Sequence, residues 1–389
     1  MTRDPRESSP PRPIGPGDVV ACYADELGEW TAAQITDINP SWKTAGVLEL
    51  AWSGPEPNSV QDLGHVSPLV LTHHAHAGRL SHLNLEWVLP RSCKLIGRLP
   101  LLRDTHSDSY SKGWRLGMQL AFQRRWDRGE RGSGDLPGEL KLTGATFDAA
   151  ATNPPEGETW SLDVETIESL DCRTLVQSFP TLRRLDLSGK LGRLENAAHL
   201  NRLPSLKRLT ITNLFGMTKA DRLLPRSVPA LESLALHSVP REYGIAMRSA
   251  WASEVAKGCS MEVTGLRGPD WLAENLDNPL REWDGRTQIS AAKFRKSVAQ
   301  FKSTRRAVIA ALSDPTLVDL KARMIELGRN FGEEFNKLAR RDDFIETEER
   351  EELFAALMEI PKASASLSDE ARKEAAGWLA QGLDETRDW

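Results

Sequence analysis

A chain of 389 residues with 40% hydrophobic and 27% charged side chains carries enough apolar surface for two or three folded domains. Fifty basic residues against 55 acidic ones leave a formal charge of −5, which excludes a global field that drives the molecule onto nucleic acid or an anionic membrane; such binding would need a local patch. Cys22, Cys93, Cys172 and Cys259 form no CxxC pair, which argues against a disulfide framework and a structural zinc site and for reduced thiols in a cytoplasmic protein. No apolar run is long enough to span a membrane and none opens the chain, so neither a membrane segment nor a secretion signal is expected.

Residues 1–15 are polar and proline-rich and read as a disordered tail. Over 16–105 the pattern changes to short strands at Asp18–Tyr23, Trp30–Ile35 and Gly46–Trp52, with further candidates at Pro68–His73 and His82–Val88. The cadence Gly17-Asp18-Val19-Val20 followed by Gly28-Glu29-Trp30 and Ala33-Gln34-Ile35 resembles small Tudor-like or SH3-like barrels. That resemblance implies a β-barrel-like domain in which Tyr23, Trp30, Trp42 and Trp52 could form an aromatic cage; the competing reading is that Trp30 and Trp52 fill the small core. His73, His74 and His76 concentrate potential ligands, but no Cys or acidic third ligand is fixed beside them, so no metal is expected. Within 106–135 the stretch Trp114–Phe122 has helical spacing and stands where a cap over the following array would be needed.

From 136 to 268 one phrase recurs. Phe179-Pro180-Thr181-Leu182-Arg183-Arg184-Leu185-Asp186-Leu187, Leu203-Pro204-Ser205-Leu206-Lys207-Arg208-Leu209-Thr210-Ile211 and Val228-Pro229-Ala230-Leu231-Glu232-Ser233-Leu234-Ala235-Leu236 share the form apolar-Pro-x-Leu-x-x-Leu-x-Leu. The series Leu140, Leu162, Leu185, Leu209, Leu234 and Met261 extends it to six strands, with steps of 22, 23, 24, 25 and 27 residues. These phrases resemble bacterial leucine-rich repeat proteins. The resemblance implies an α/β solenoid, a short horseshoe, with protein recognition on its concave face. Period-two alternation turns the leucines inward and puts Asp163, Glu165, Arg184, Asp186, Ser188, Arg208, Thr210, Thr212, Ser233 and His237 on that face. Between strands, Ile167, Leu170, Leu175 and Phe179, and then Leu191, Leu194, Leu200 and Leu203, have helical spacing that would cover the other side.

Residues 269–389 form a helical domain. Phe294 to Leu312, Leu317 to Leu338, Leu353 to Ile360 and a helix from Ser368 carry apolar residues at helical spacing. Arg286 to Arg306 contains seven basic residues and no acid, while seven carboxylates fall between Asp342 and Glu352. The two runs read as helices packed side by side with complementary charge, so nucleic-acid binding is the lesser alternative.

No GxxxxGK[ST], GxGxxG, HExxH or GxSxG occurs. The expectation is therefore a non-enzymatic scaffold or adaptor with a protein partner and no cofactor. The alternatives are an immunity component that neutralises a toxin, and nucleic-acid binding through 286–306.

Overall fold

The computed structural model describes residues 14–107, 109–111, 113–132, 136–340, 343–363 and 367–389. Of the tail expected over 1–15, all but Ile14 and Gly15 lies outside the described residues, and Ile14 is buried against the first sheet. Two compact units result, Met1–Gly268 and Pro269–Trp389.

The first sheet is built from β1 (Asp18–Ala24), β2 (Glu29–Asn39), β3 (Thr44–Gly54), β6 (His82–Glu86) and β7 (Lys94–Arg98), in the order β6-β3-β2-β1-β7. Two-residue strands β4 (Val70–Leu71) and β5 (Arg79–Leu80) pair separately. Alternation along β1 explains its packing. Val20 and Cys22 enter one core with Ala33, Ile35 and Val47, while Val19 and Ala21 enter another with Ala32, Leu50 and Ile96. Among the described residues the end strands β6 and β7 do not pair, so the expected barrel is replaced by an open antiparallel sheet. At the β6 end the edge already has a partner, since Asn84 N–H donates to the Ser109 carbonyl at 2.7 Å and Ser111 N–H to the Asn84 carbonyl at 3.1 Å.

Helix α1 (Met118–Asp127) starts later than the spacing of Trp114–Phe122 suggests. Gly117, at φ 94°, turns the chain into it, and a Cβ there would lie 2.4 Å from that of Ala24. Trp114 precedes the helix and donates its indole N–H to the Glu86 carbonyl at 2.7 Å. Leu120 packs with Leu69 and with Leu71 of β4, which ties α1 to the small β4–β5 pair.

The second sheet has six parallel strands in the order β13-β12-β11-β10-β9-β8. They are β8 (Glu139–Thr143), β9 (Ser161–Asp171), β10 (Arg184–Glu195), β11 (Arg208–Phe215), β12 (Ser233–His237) and β13 (Ser260–Thr264). Their pairing runs through Leu140, Leu162, Leu185, Leu209, Leu234 and Met261, the residues that the spacing aligns. The expected leucine-rich repeat horseshoe is nevertheless overturned, because one unit is not repeated. The strands are joined by helices α2 (Gly144–Thr152), α3 (Cys172–Ser178) and α4 (Arg241–Trp251), and by 3-10 turns at Ala197–Arg202 and Lys219–Asp221. β9 and β10 run for 11 and 12 residues with shifts of register, whereas β8, β12 and β13 have 5 each. Ile167, Leu170, Leu191 and Leu194, expected on helices, therefore lie in strands. Gly192 permits this close approach of β10 to β9, since a Cβ there would stand 1.8 Å from the Ile167 carbonyl oxygen. The architecture is a parallel α/β sheet whose core joins the strand leucines to Phe147, Phe179, Tyr243 and Trp251.

The second unit contains α5 (Pro269–Asn275), α6 (Ala291–Ser313), α7 (Leu320–Ala339), α8 (Thr347–Glu359) and α9 (Asp369–Asp384). Ser290, Asp319 and Ser368 cap α6, α7 and α9 by accepting backbone N–H bonds. Trp283, Phe331, Phe335 and Phe344 centre its core. Among the described residues no helix is long and apolar enough to cross a membrane.

Candidate functional site

Parallel register lines up the residues between the strand leucines into three polar rows. Glu139, Ser161, Arg184, Arg208, Ser233 and Ser260 form the first; Lys141, Asp163, Asp186, Thr210, Ala235 and Glu262 the second; Thr143 with Glu165 and, beyond a register shift between β9 and β10, Ser188, Thr212, His237 and Thr264 the third. All ten residues expected on this face occupy the rows. Six of them, Arg184, Asp186, Arg208, Thr210, Ser233 and His237, line a cleft of about 320 Å³. Asp163, Glu165, Ser188 and Thr212 do not line it.

The cleft is held by its own bonds. Arg184 Nε stands 2.7 Å from Asp186 Oδ2, and His237 Nδ1 lies 2.8 Å from Thr264 Oγ1 and its Nε2 3.9 Å from Glu262. Burial, together with the carboxylates of Asp186 and Glu165, pushes the Asp163 carboxyl above its ordinary value.

Glu86, Ser111, Arg115 and Met118 complete the cleft from the first half of the unit. Arg115 is the junction, bonding Glu26 at 2.7 Å and also Glu139 on β8. Beside it, Asp25 accepts from Arg183 at 2.9 Å and from Lys207 at 3.1 Å, and Ser92 donates to Glu232 at 2.5 Å. These partners are separated by 24 to 182 positions, and no local pattern announces them.

The aromatic cage is not assembled. Tyr23 and Trp30 meet edge to face at 6.5 Å, and the chain's own Lys207 and Lys94 stand over their rings at 5.8 and 5.0 Å. Trp52 and Trp30 pack against the small core around Leu50, while Trp42 sits alone on the β2–β3 turn, 79% exposed. Core filling wins for Trp30 and Trp52 because burial of a large ring outweighs what an empty cage can gain.

His73 is buried, with Nδ1 2.9 Å from that of His74, and packs on Phe122. Burial, with His76 and His74 nearby, holds its pKa below the ordinary value. Among the described residues no group of three His, Cys, Asp or Glu side chains could hold a metal ion. Arg286, first of the basic run, is bonded to Glu348, Glu349 and Glu352 of α8 at 3.2, 2.5 and 2.7 Å. No protein-family model, curated protein or solved structure matches the chain.

Proposed function

We propose that the polar face of the second sheet binds an extended segment of a protein partner, and that the chain is a non-enzymatic adaptor of a reducing, cytoplasmic compartment. The observation that carries this reading is the cleft lined by Arg184, Asp186, Arg208, Thr210, Ser233 and His237. Its donors and acceptors are braced by Asp186, Thr264 and Glu232, so little side-chain freedom is lost on binding. Cations and carboxylates alternate across it, which suits a polypeptide carrying both signs of charge. Four buried, unbridged cysteines accord with a reducing compartment.

The test places a photo-crosslinking residue at Thr210 and, as a control, at the exposed Arg173 of α3. A partner captured from Thr210 and not from Arg173, and lost in a folded Arg184→Glu, Arg208→Glu variant, supports the reading. Equal capture from both positions, or capture that survives the double substitution, removes it.

A further inference from the structure

At the edge of the first sheet two clefts share Ser107. One, of about 570 Å³, is lined by Asp37, Asn39, Trp42, Thr44, Asn84, His106 and Tyr110. The other, of about 520 Å³, is lined by Arg79, Leu80, His82, Arg103 and Ser109.

The first cleft has the chemistry of a stacking pocket. Trp42 and Tyr110 are 79% and 59% exposed, and among the described residues neither makes a ring contact, so their faces are open. Each is nevertheless held. Asn39 Oδ1 accepts from the backbone N–H groups of Ser41 and Trp42 at 3.1 and 3.3 Å, which fixes the turn beneath Trp42. Tyr110 is carried by a segment pinned to β6, where Asn84 N–H donates to the Ser109 carbonyl at 2.7 Å and Ser111 N–H to the Asn84 carbonyl at 3.1 Å.

The two asparagines also leave complementary groups for an edge. Asn39 uses its oxygen on the turn and keeps its NH2 donors; Asn84 spends an N–H on the Ser107 carbonyl at 2.6 Å and keeps its oxygen as acceptor. An amide donor and an amide acceptor between aromatic faces match the mixed edge of a nucleobase.

The second cleft has the opposite character. Arg79 and Arg103 have no carboxylate partner among the described residues, though Arg103 Nε donates to Thr105 Oγ1 at 2.5 Å; Ser107, whose hydroxyl donates to the His82 carbonyl at 2.6 Å, and Ser109 stand with them. Two guanidiniums without a carboxylate partner among the described residues, with the Ser109 hydroxyl beside them, are an anion site, and phosphate fits their remaining Nη donors. Asp37 stands in the first cleft, with Oδ2 3.2 Å from His106 Nδ1, so a phosphate is directed to the arginine side.

We infer that these adjoining clefts bind one nucleotide unit, its base against Trp42 and Tyr110 and its phosphate on Arg79 and Arg103. This is the local patch that a chain of net charge −5 requires. The unit can come from a free mononucleotide or from a single strand, and the experiment separates the two.

Adenosine 5′-monophosphate, its three common counterparts, an eight-nucleotide single-stranded RNA and inorganic phosphate are titrated against the full chain by calorimetry. At least one nucleotide probe binds, and Trp42→Ala and the Arg79→Ala, Arg103→Ala pair each weaken it about tenfold, the scale of one lost stack or charged bond. Trp42 is too exposed for its removal to unfold the sheet, and circular dichroism checks the arginine pair. Binding by the octamer alone assigns a single strand; binding by a mononucleotide of similar strength assigns the free ligand. The inference is overturned if none of the nucleotide probes binds, if phosphate alone binds as tightly as they do, or if binding persists in both folded variants.

Discussion

Asp163 and Asp186 face each other directly in the register of β9 and β10, and like charges opposed on a sheet destabilise it by roughly 0.2–1 kcal/mol. Asp163→Asn is therefore expected to raise stability by about 0.5 kcal/mol at neutral pH. The sign with pH follows from the raised carboxyl of Asp163, whose causes are burial, Asp186 and Glu165. The folded chain binds that proton more tightly than the unfolded one, so the wild type recovers stability as pH falls through the raised folded value. Urea midpoints of the two proteins should converge toward pH of about 4; a gap that stays constant would remove the assignment. Arg115 has the opposite role, because it lies between two partly buried carboxylates, Glu26 and Glu139. Arg115→Met leaves both uncompensated and should cost about 3 kcal/mol, read as a lowered denaturation midpoint. The Arg115 junction was not legible in sequence. Glu26, Arg115 and Glu139 are distant positions in an unremarkable background of charge, and only the chain path brings them together.

At the scale of elements, the strands of the second sheet were legible and their connections were not. A leucine two residues after another, bounded by proline and recurring every two dozen residues, marks a buried strand whatever follows it. Ile167 and Leu170 show where the reading failed, since a spacing of three suits one face of a helix and suits equally a strand with a register shift, as in β9. The aromatic reading failed in a related way, because four rings on neighbouring strands say nothing of which face each takes. Trp42, placed in that cage, belongs to a different cleft, and its partner Tyr110 had no sequence signal. Glycines at helix crossings were passed over as well. In α7 and α9, Gly328 and Gly382 let backbones meet: added Cβ atoms would stand 2.1 Å from the Leu379 carbonyl oxygen and 1.9 Å from that of Ile325. Gly382→Ala forces the two helices apart and should cost about 1–3 kcal/mol despite the better helix propensity of alanine. A thermal midpoint that rises instead would show that propensity wins.

For the whole molecule the consequence is that stability is held in two separate cores. Residues Met1–Gly268 share one set of hydrophobic clusters, and Pro269–Trp389 has its own, in which Trp283, Phe331, Phe335, Leu353 and Leu379 are fully buried. The second unit also pairs its buried charge internally: Arg286 Nη1 meets the buried Glu349 at 2.5 Å, and Trp283 Nε1 donates to Glu352 at 2.6 Å. A chain segment of domain size, with its own apolar core and paired buried charges, meets the requirements for folding alone. Pro269–Trp389 expressed by itself should give a helical circular dichroism spectrum and a cooperative melt. Gly382→Ala should lower that melt by the same free energy in the fragment as in the full chain, because the backbone approach it disturbs lies wholly inside the unit. A fragment without a cooperative transition would mean that its core is incomplete, and a Gly382→Ala effect seen only in the full chain would place the strain outside α7 and α9.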